Sequence, residues 1–387
     1  MVRGIALCVV ALVAFAGAGA AAAAVKLQSN VDRVDISSLV QPAPSSTSTP
    51  DPDDPNAGQA VNILILGSDQ RDGVNGTIGG AAAGMRSDTA MVLHVSADRS
   101  RVELVSIPRD SLVDIPSCTM TNGKTSRATH GMFNSAFATG WDMGGDMASA
   151  AACTINTVQQ NTGVTIDHFV VVDFAGFQQM VNAIGGVPMC FPTALKDKLS
   201  GLNVPAGQQT LDGTMALAYA RARHGVGDGS DTNRIGNQQK LIAAMVREVM
   251  SADVLTSPTK LVAFLSAATS SLTTDSTMSI GSMTGLAYNL RNISSGNITF
   301  MTIPFAPAKS DPNRVEWTSA ADVVWSNMAN DVPALGEAPT APATTAPTAP
   351  STTAPGATTA PPATPTPTET KKPGREAFTV DDTTDVC

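Results

Sequence analysis

Aromatic residues make up only 4% of this 387-residue chain and charged residues 15%. So few rings exclude a core built on stacked aromatics. The 43% hydrophobic content then describes an Ala/Val/Leu/Met interior, which excludes a wholly disordered chain or a short disulfide scaffold. Positive charge is scarce too: 24 Lys and Arg stand against 33 Asp and Glu, a net charge of -9. Sequence-independent binding to nucleic acid needs a basic face that displaces phosphate counterions, and this composition does not supply one. Any anion site must be a local cluster of arginines. The five cysteines and four histidines have no zinc-site spacing, the chain has no internal repeat, and no apolar run beyond residue 25 is long enough to span a bilayer.

Arg3 precedes Ile5 to Val25, 21 residues without a charge, about 32 Å as a helix. That is enough to cross a membrane. The Gly/Ala run Ala16 to Ala24 equally resembles a signal-peptidase site, so residues 1–25 are a membrane anchor or a cleaved signal peptide. Either way the body lies on the outer, extracytoplasmic side, because the basic residue sits on the short N-terminal side. Residues 26–60 read as a polar linker, 61–333 as one folded domain and 334–387 as a disordered Pro/Thr/Ala-rich tail. An oxidising compartment permits one disulfide among Cys118, Cys153 and Cys190, with Cys118–Cys153 the first choice. Cys387 reads as a lone thiol able to pair between molecules.

Val61 to Leu66 is a nearly continuous apolar run and reads as a buried central strand. Thr89 to Val95 and Val102 to Ile107 flank a tight connection and read as a hairpin. His168 to Asp173, Val187 to Phe191 and Ile298 to Ile303 are further strands. Helical periodicity appears in the region of Met147 to Val158, over Phe174 to Ile184 and over Thr232 to Met250, with a short helix near Asp212. Residues 111 to 140 read as irregular and Ala218 to His224 as extended. The mix predicts a three-layer α/β/α domain with a mixed central sheet.

Charges gather at the ends of these strands. Asp69 follows the first strand, Arg86 and Asp88 precede the second, and Arg109 with Asp110 follow the third. If the hairpin is antiparallel and the 61–66 strand pairs parallel to 102–107, all five groups meet at one rim, where open α/β sheets place ligands. A second cluster follows in YARARHGVGDGSDTNRIGNQQ. Arg221 and Arg223 share a face if that segment is extended, and Arg234 and Gln238 share one on the next helix, behind Asp231. Guanidiniums grip phosphate oxygens and paired carboxylates hold Mg²⁺, so the inventory specifies a pyrophosphate with a metal. Each Arg/Asp neighbour pair taken alone is also an ordinary surface ion pair.

GSDQR, RSDTAM, SIPRD and ARARH with Asp231, Arg234 and Gln238, in this order, resemble the LytR-CpsA-Psr family of bacterial envelope proteins over residues 61 to 255. The resemblance implies a phosphotransferase that moves a glycopolymer from a polyprenyl-pyrophosphate carrier onto peptidoglycan, with an arabinogalactan-like or teichoic-acid-like cargo. It implies Mg²⁺ on Asp69 and Asp88, and a pyrophosphate clamp of Arg86, Arg109, Arg221, Arg223, Arg234 and Gln238. Arg86, Asp88 and Arg109 would act on the reacting phosphate. Hydrolysis of the same pyrophosphate, or polymer binding without turnover, would use the same rim. Two departures from the family pattern stand out: the Gly-rich insert Gly73 to Gly84 between Asp69 and Asp88, and Asn237 where the family often has arginine.

Overall fold

The computed structural model describes residues 30–40, 58–69, 73–79, 85–250 apart from 225 and 228, 264, 266, 267, 269, 272–290, 293–336 and 370–387 apart from 383, 385 and 386. Residues 1–29, and with them the expected anchor, lie outside this set, as do 337–369 of the expected tail. Among the described residues no helix is long and apolar enough to cross a membrane.

One mixed sheet organises the fold. Its strands are β1 (Asp32–Val34), β2 (Val61–Ser68), β3 (Ser87–Val95), β4 (Val102–Ile107), β5 (His168–Val172), β6 (Leu272–Asp275), β7 (Ile298–Thr302) and β8 (Phe378–Thr379). In space they run β1-β6-β5-β2-β3-β4-β7-β8. The hairpin β3–β4 is antiparallel as expected. The expected pairing of β2 with β4 does not form: β2 pairs antiparallel with β3 and parallel with β5. Because β3 lies antiparallel between them, β2 and β4 still point the same way, and their carboxyl ends reach one rim.

The helices are α1 (Gly73–Gly79), α2 (Asn134–Gly144), α3 (Met147–Thr162), α4 (Phe174–Ala183), α5 (Gly213–Arg221), α6 (Asp231–Met250), α7 (Ile280–Asn289) and α8 (Ser319–Ala329). They cover both faces of the sheet. Leu64, Leu66, Val92 and Val105 pack with Phe137, Ile155 and Trp325 of α2, α3 and α8. On the other face Ile63, Met91, Leu104 and Phe300 pack with Ala243 of α6. Coverage on both faces is why the Val61 to Leu66 run reads apolar at every position but Asn62. A third apolar cluster joins α4, α5 and α6 to the antiparallel pair Val187–Phe191 and Gly207–Leu211. Asp146, Asp173 and Asp212 cap their helices by accepting the N–H of Ser149, Gly176 and Met215.

Four expectations are corrected here. Residues 32–34, expected in the linker, form β1 and pair parallel with β6, and Ile36 is buried in the core. Residues 111 to 140 are ordered: Leu112–Ile115 pairs with Thr129–Met132 and α2 follows. This hairpin is stapled to α3 by the Cys118–Cys153 disulfide that the sequence favoured. Ala218 to Arg221 are not extended but form the end of α5, because the Asp212 cap and the run TMALAYA commit that segment to helix. The end of the chain is not all disordered tail: β8 adds to the sheet edge beside β7, and Cys387 is not a lone thiol but pairs with Cys190.

Helices α2 and α3 touch through backbone. A Cβ on Gly140 would sit 2.3 Å from the Ser149 carbonyl oxygen and 2.6 Å from the Ala150 Cα. Gly140→Ala is expected to cost about 1–3 kcal/mol of stability through overpacking. Urea unfolding checks this, the midpoint falling at an unchanged slope.

Candidate active site

The rim is shaped by a bulge. Gly67 pairs with Thr89 and Ser68 with Ser87, so Asp88 is the extra residue of β3. Bulges re-aim side chains, and this one turns Asp88 into a cavity of about 550 Å³ at the carboxyl end of β2. Asp69, Asp88, Arg109, Arg221, Arg223, Arg234 and Gln238 all line that cavity. Thus seven of the eight site residues anticipated from sequence converge, although they are spread over 170 positions and come from five elements or their ends. Arg86 is the exception. It is exposed and outside the cavity lining, and its contribution is backbone: its N–H donates to Asp69 Oδ1 at 2.8 Å while its carbonyl accepts the Asp69 N–H at 3.1 Å.

Arginines and acids alternate across the mouth. Arg109 Nη1 donates to Asp88 Oδ1 at 2.9 Å, and its Nε lies 3.3 Å from Asp231 Oδ1 and 3.5 Å from Asp110 Oδ2. Arg234, 5% exposed, donates from Nη2 to the Asp88 carbonyl at 3.0 Å and pairs with Asp231. Arg223 Nη2 lies 3.5 Å from the same Asp231 oxygen. Three guanidiniums therefore share three carboxylates, Asp88, Asp110 and Asp231. Arg314 continues the row, 3.1 Å from Asp110 Oδ1. Nothing in the sequence pointed to Arg314, because its partner lies 204 residues earlier.

Burial and charge act differently on the two acids. Burial by itself would raise Asp88, but Arg109 and Arg234 outweigh it and hold its carboxyl below the usual range. For Asp231 burial wins over Arg234 and Arg109, and the pKa is raised. Neither buried Asp231 oxygen makes a hydrogen bond of good geometry. Asp231 thus holds the arginines by charge rather than by well-aligned hydrogen bonds.

One wall of the cavity is apolar. Phe174, Phe177, Met180, Leu217, Leu241, Ile242 and Met245 line it between α4, α5 and α6. Arg221 lines the cavity, as Arg223 does, but from the end of a helix rather than from an extended segment. At the end of α5 it lies over the Phe174 ring, 4.6 Å from the centroid, between the charged mouth and the apolar wall. Gln238 donates to the Ala220 carbonyl at 3.2 Å, tying α6 to α5. Asp197 was not anticipated. Buried, it accepts the N–H groups of Arg223 and His224 and so fixes the chain after α5. Asp173 and Phe174 also escaped notice, because their part is to start α4 at the rim.

The described part of the Gly-rich insert, α1, packs against the start of α4. Within it Asn75 donates to Asp173 Oδ2 at 2.8 Å and accepts the Ala175 N–H at 2.9 Å. Asn237 is buried and accepts the Tyr219 hydroxyl at 3.1 Å, bracing α6 rather than extending the clamp. Among the described residues no group of three or more His, Cys, Asp or Glu side chains is placed to hold a metal ion. Asp69 and Asp88 supply two hard oxygen donors beside an anion pocket, a set that suits Mg²⁺ when ligand oxygens and water complete its shell.

Residues 17–329 match the model of the LytR_cpsA_psr family. Over 305 residues the chain is 34% identical to the cell wall biosynthesis protein LcpA of Corynebacterium glutamicum, covering 74% of this chain and 58% of that protein. It is 32% identical over 197 residues to the polyisoprenyl-teichoic acid–peptidoglycan teichoic acid transferase TagU of Oceanobacillus iheyensis, covering 51% and 54%. The chain thus spans less than two thirds of the length of these relatives. The solved LytR-Csp2A-Psr enzyme from Actinomyces oris superposes with a TM-score of 0.54 at 22% identity, covering 78% of this chain and 96% of that one. TagT bound to LIIa-WTA gives 0.53 at 19% identity, covering 78% and 99%. These two share the fold.

The opposite shifts of Asp88 and Asp231 have opposite consequences. Asp88, lowered, contributes stability that is present above the unfolded value of 3.8 and lost as pH falls through its folded pKa. Asp231, raised, carries a penalty that is absent below 3.8 and complete above its folded pKa. At pH 7, Asp88→Asn is therefore expected to lower the thermal midpoint, while Asp231→Asn leaves it unchanged or raises it. Calorimetric scans of both variants at pH 7 check the signs.

Proposed function

Because the chain belongs to the LytR_cpsA_psr family, we propose that it is an envelope phosphotransferase that moves a glycopolymer from a polyprenyl-pyrophosphate carrier onto peptidoglycan. The observation that carries this is one cavity with two chemistries. Its mouth holds Arg109, Arg223 and Arg234 around Asp88 and Asp231, and its wall is Phe, Met, Leu and Ile. A lipid pyrophosphate has the same division, with a doubly charged head on an apolar chain. The cargo class, arabinogalactan-like or teichoic-acid-like, is left to the donor assay below.

In the proposed reaction an acceptor hydroxyl oxygen bonds to the glycan-linked phosphorus. The bond from that phosphorus to the bridging pyrophosphate oxygen breaks, polyprenyl phosphate leaves with the electron pair, and the hydroxyl proton passes to a carboxylate or to solvent. Such a step needs little covalent chemistry from a protein; positioning and charge stabilisation supply most of the rate. Arg109 and Arg234 are suited to grip the phosphoryl oxygens, exchanging their present carboxylate partners for phosphate. Arg223 and Arg221 flank them, with Gln238 tying α6 to α5. Arg86 has its role in holding Asp69. Asp69 and Asp88 would hold Mg²⁺, which when bound neutralises charge on the pyrophosphate. Two disulfides among the described residues are in keeping with an oxidising, extracytoplasmic location, with residues 1–25 as anchor or signal.

The test is incubation of the full chain with a polyprenyl-pyrophosphate-linked glycan, peptidoglycan and Mg²⁺. Glycan covalently attached to peptidoglycan is the expected product. Glycan phosphate freed into water, with none attached, would make the protein a hydrolase instead. Asp88→Ala is expected to lower transfer by at least about 10²-fold with lipid binding retained. Chelation of Mg²⁺ should stop transfer by the unmodified chain, and full activity under either condition overturns the metal assignment. Arg109→Lys, which keeps charge but loses the planar fork, is expected to cost about 10-fold or more in kcat/KM.

A further inference from the structure

Helix α6 carries Asp231, Arg234 and Gln238, and its back is held by a segment that no motif marks. Residues 370–382 return to the domain beyond the Pro/Thr-rich stretch. Gly236 lies between Arg234 and Gln238, and the Pro373–Gly374 backbone packs directly on it. A Cβ at Gly236 would sit 2.4 Å from the Pro373 carbonyl oxygen. A Cβ at Gly374, where φ is +84°, would sit 2.4 Å from the Thr232 carbonyl oxygen. Two backbones approach here more closely than side chains permit, and glycine on both sides is the only composition that fits.

Polar contacts fix the same spot. The Gly374 N–H donates to Gln239 Oε1 at 2.8 Å. The Gln239 amide in turn donates to Ser106 Oγ of β4 at 3.0 Å and Thr302 Oγ1 of β7 at 3.1 Å. Further along, Phe378 stacks on Phe300 of β7 with ring centroids 5.2 Å apart, and its strand β8 pairs with that sheet edge. Near the far end of α6, Arg247 Nη1 donates to the Val380 carbonyl at 2.7 Å. The segment therefore grips the helix near both of its ends while being anchored to the sheet that supplies Asp88 and Arg109.

We propose that residues 372–380 are a positioning strap for the anion clamp: they fix the depth and rotation of the first turns of α6, and through them the placement of Arg234 and Gln238. This rests on the clamp binding a pyrophosphate, as proposed above. The physical reason is that a guanidinium displaced by about 1 Å from its phosphate partner forfeits much of the bond, with effects of order 10²-fold on rate. A helix start held only from the cavity side is free to fray away from it.

The probe is inorganic pyrophosphate with Mg²⁺, titrated calorimetrically into the full chain. Amide hydrogen exchange is followed in parallel over 231–239 and 372–380. Gly236→Ala wedges the strap off the helix. Phe378→Ala loosens it at the sheet edge, away from the contact with Gly236, and Phe378→Leu keeps an apolar plug there. Both disruptive variants are expected to speed exchange in the two segments together and to weaken pyrophosphate binding about 10-fold at unchanged circular dichroism. Phe378→Leu is expected to stay within about twofold of the parent. Faster exchange confined to 372–380, or faster exchange in both segments with binding unchanged, overturns the strap. Absence of pyrophosphate binding by the unmodified chain would instead overturn the clamp itself.

Discussion

Guanidiniums repel one another, yet Arg109, Arg223 and Arg234 all lie within reach of a single carboxylate oxygen, that of Asp231. Asp88 then balances Arg109 from the other side. Asp231 is buried without a well-formed hydrogen bond, and burial disfavours its charged form there. The remaining elements of the site keep this cluster in place and keep water from its apolar side.

Three separate devices do that work. The bulge at Asp88 aims one acid, the Asp69–Arg86 backbone exchange pins the chain on either side of residues 70–85, and Asp197 fixes the turn that presents Arg223. The last two join the chain to itself by hydrogen bonds between a backbone N–H and an aspartate side chain. Helix α6 is fastened from both sides: through Gln238 and Asn237 to α5, and through Gly236 and Gln239 to the chain's far end.

What could be read beforehand follows a physical line. β4 and the Val187–Phe191 strand were legible to the residue, because a short run of buried apolar residues between turn signals allows few alternatives. The rim was legible because charges that interrupt such runs must sit at strand ends. The error at Ala218 to Arg221 came from weighing the Arg-Ala-Arg alternation above the Asp212 cap and the alanine-rich run, both of which act locally and favour helix. The β2–β4 pairing was misread because parallel neighbours depend on crossover connections, and residues 111 to 140 because their order depends on packing against α3 and on a disulfide.

The sequence by itself determined the chemistry: which residues are arginines and acids, that they close apolar strands, and that they occur in one family's order. Those are properties of short stretches, where propensity and burial act between near neighbours. Tertiary structure alone decided that Asp231 sits among the guanidiniums, that Arg314 joins the row, that the Arg86 N–H donates to Asp69, and that Phe378, Val380 and Cys387 belong to the folded body. A lone phenylalanine near the end of a polar segment has no local reason to be ordered. It becomes part of the core only because an open sheet edge and the Phe300 ring wait nearly 80 residues away in the chain.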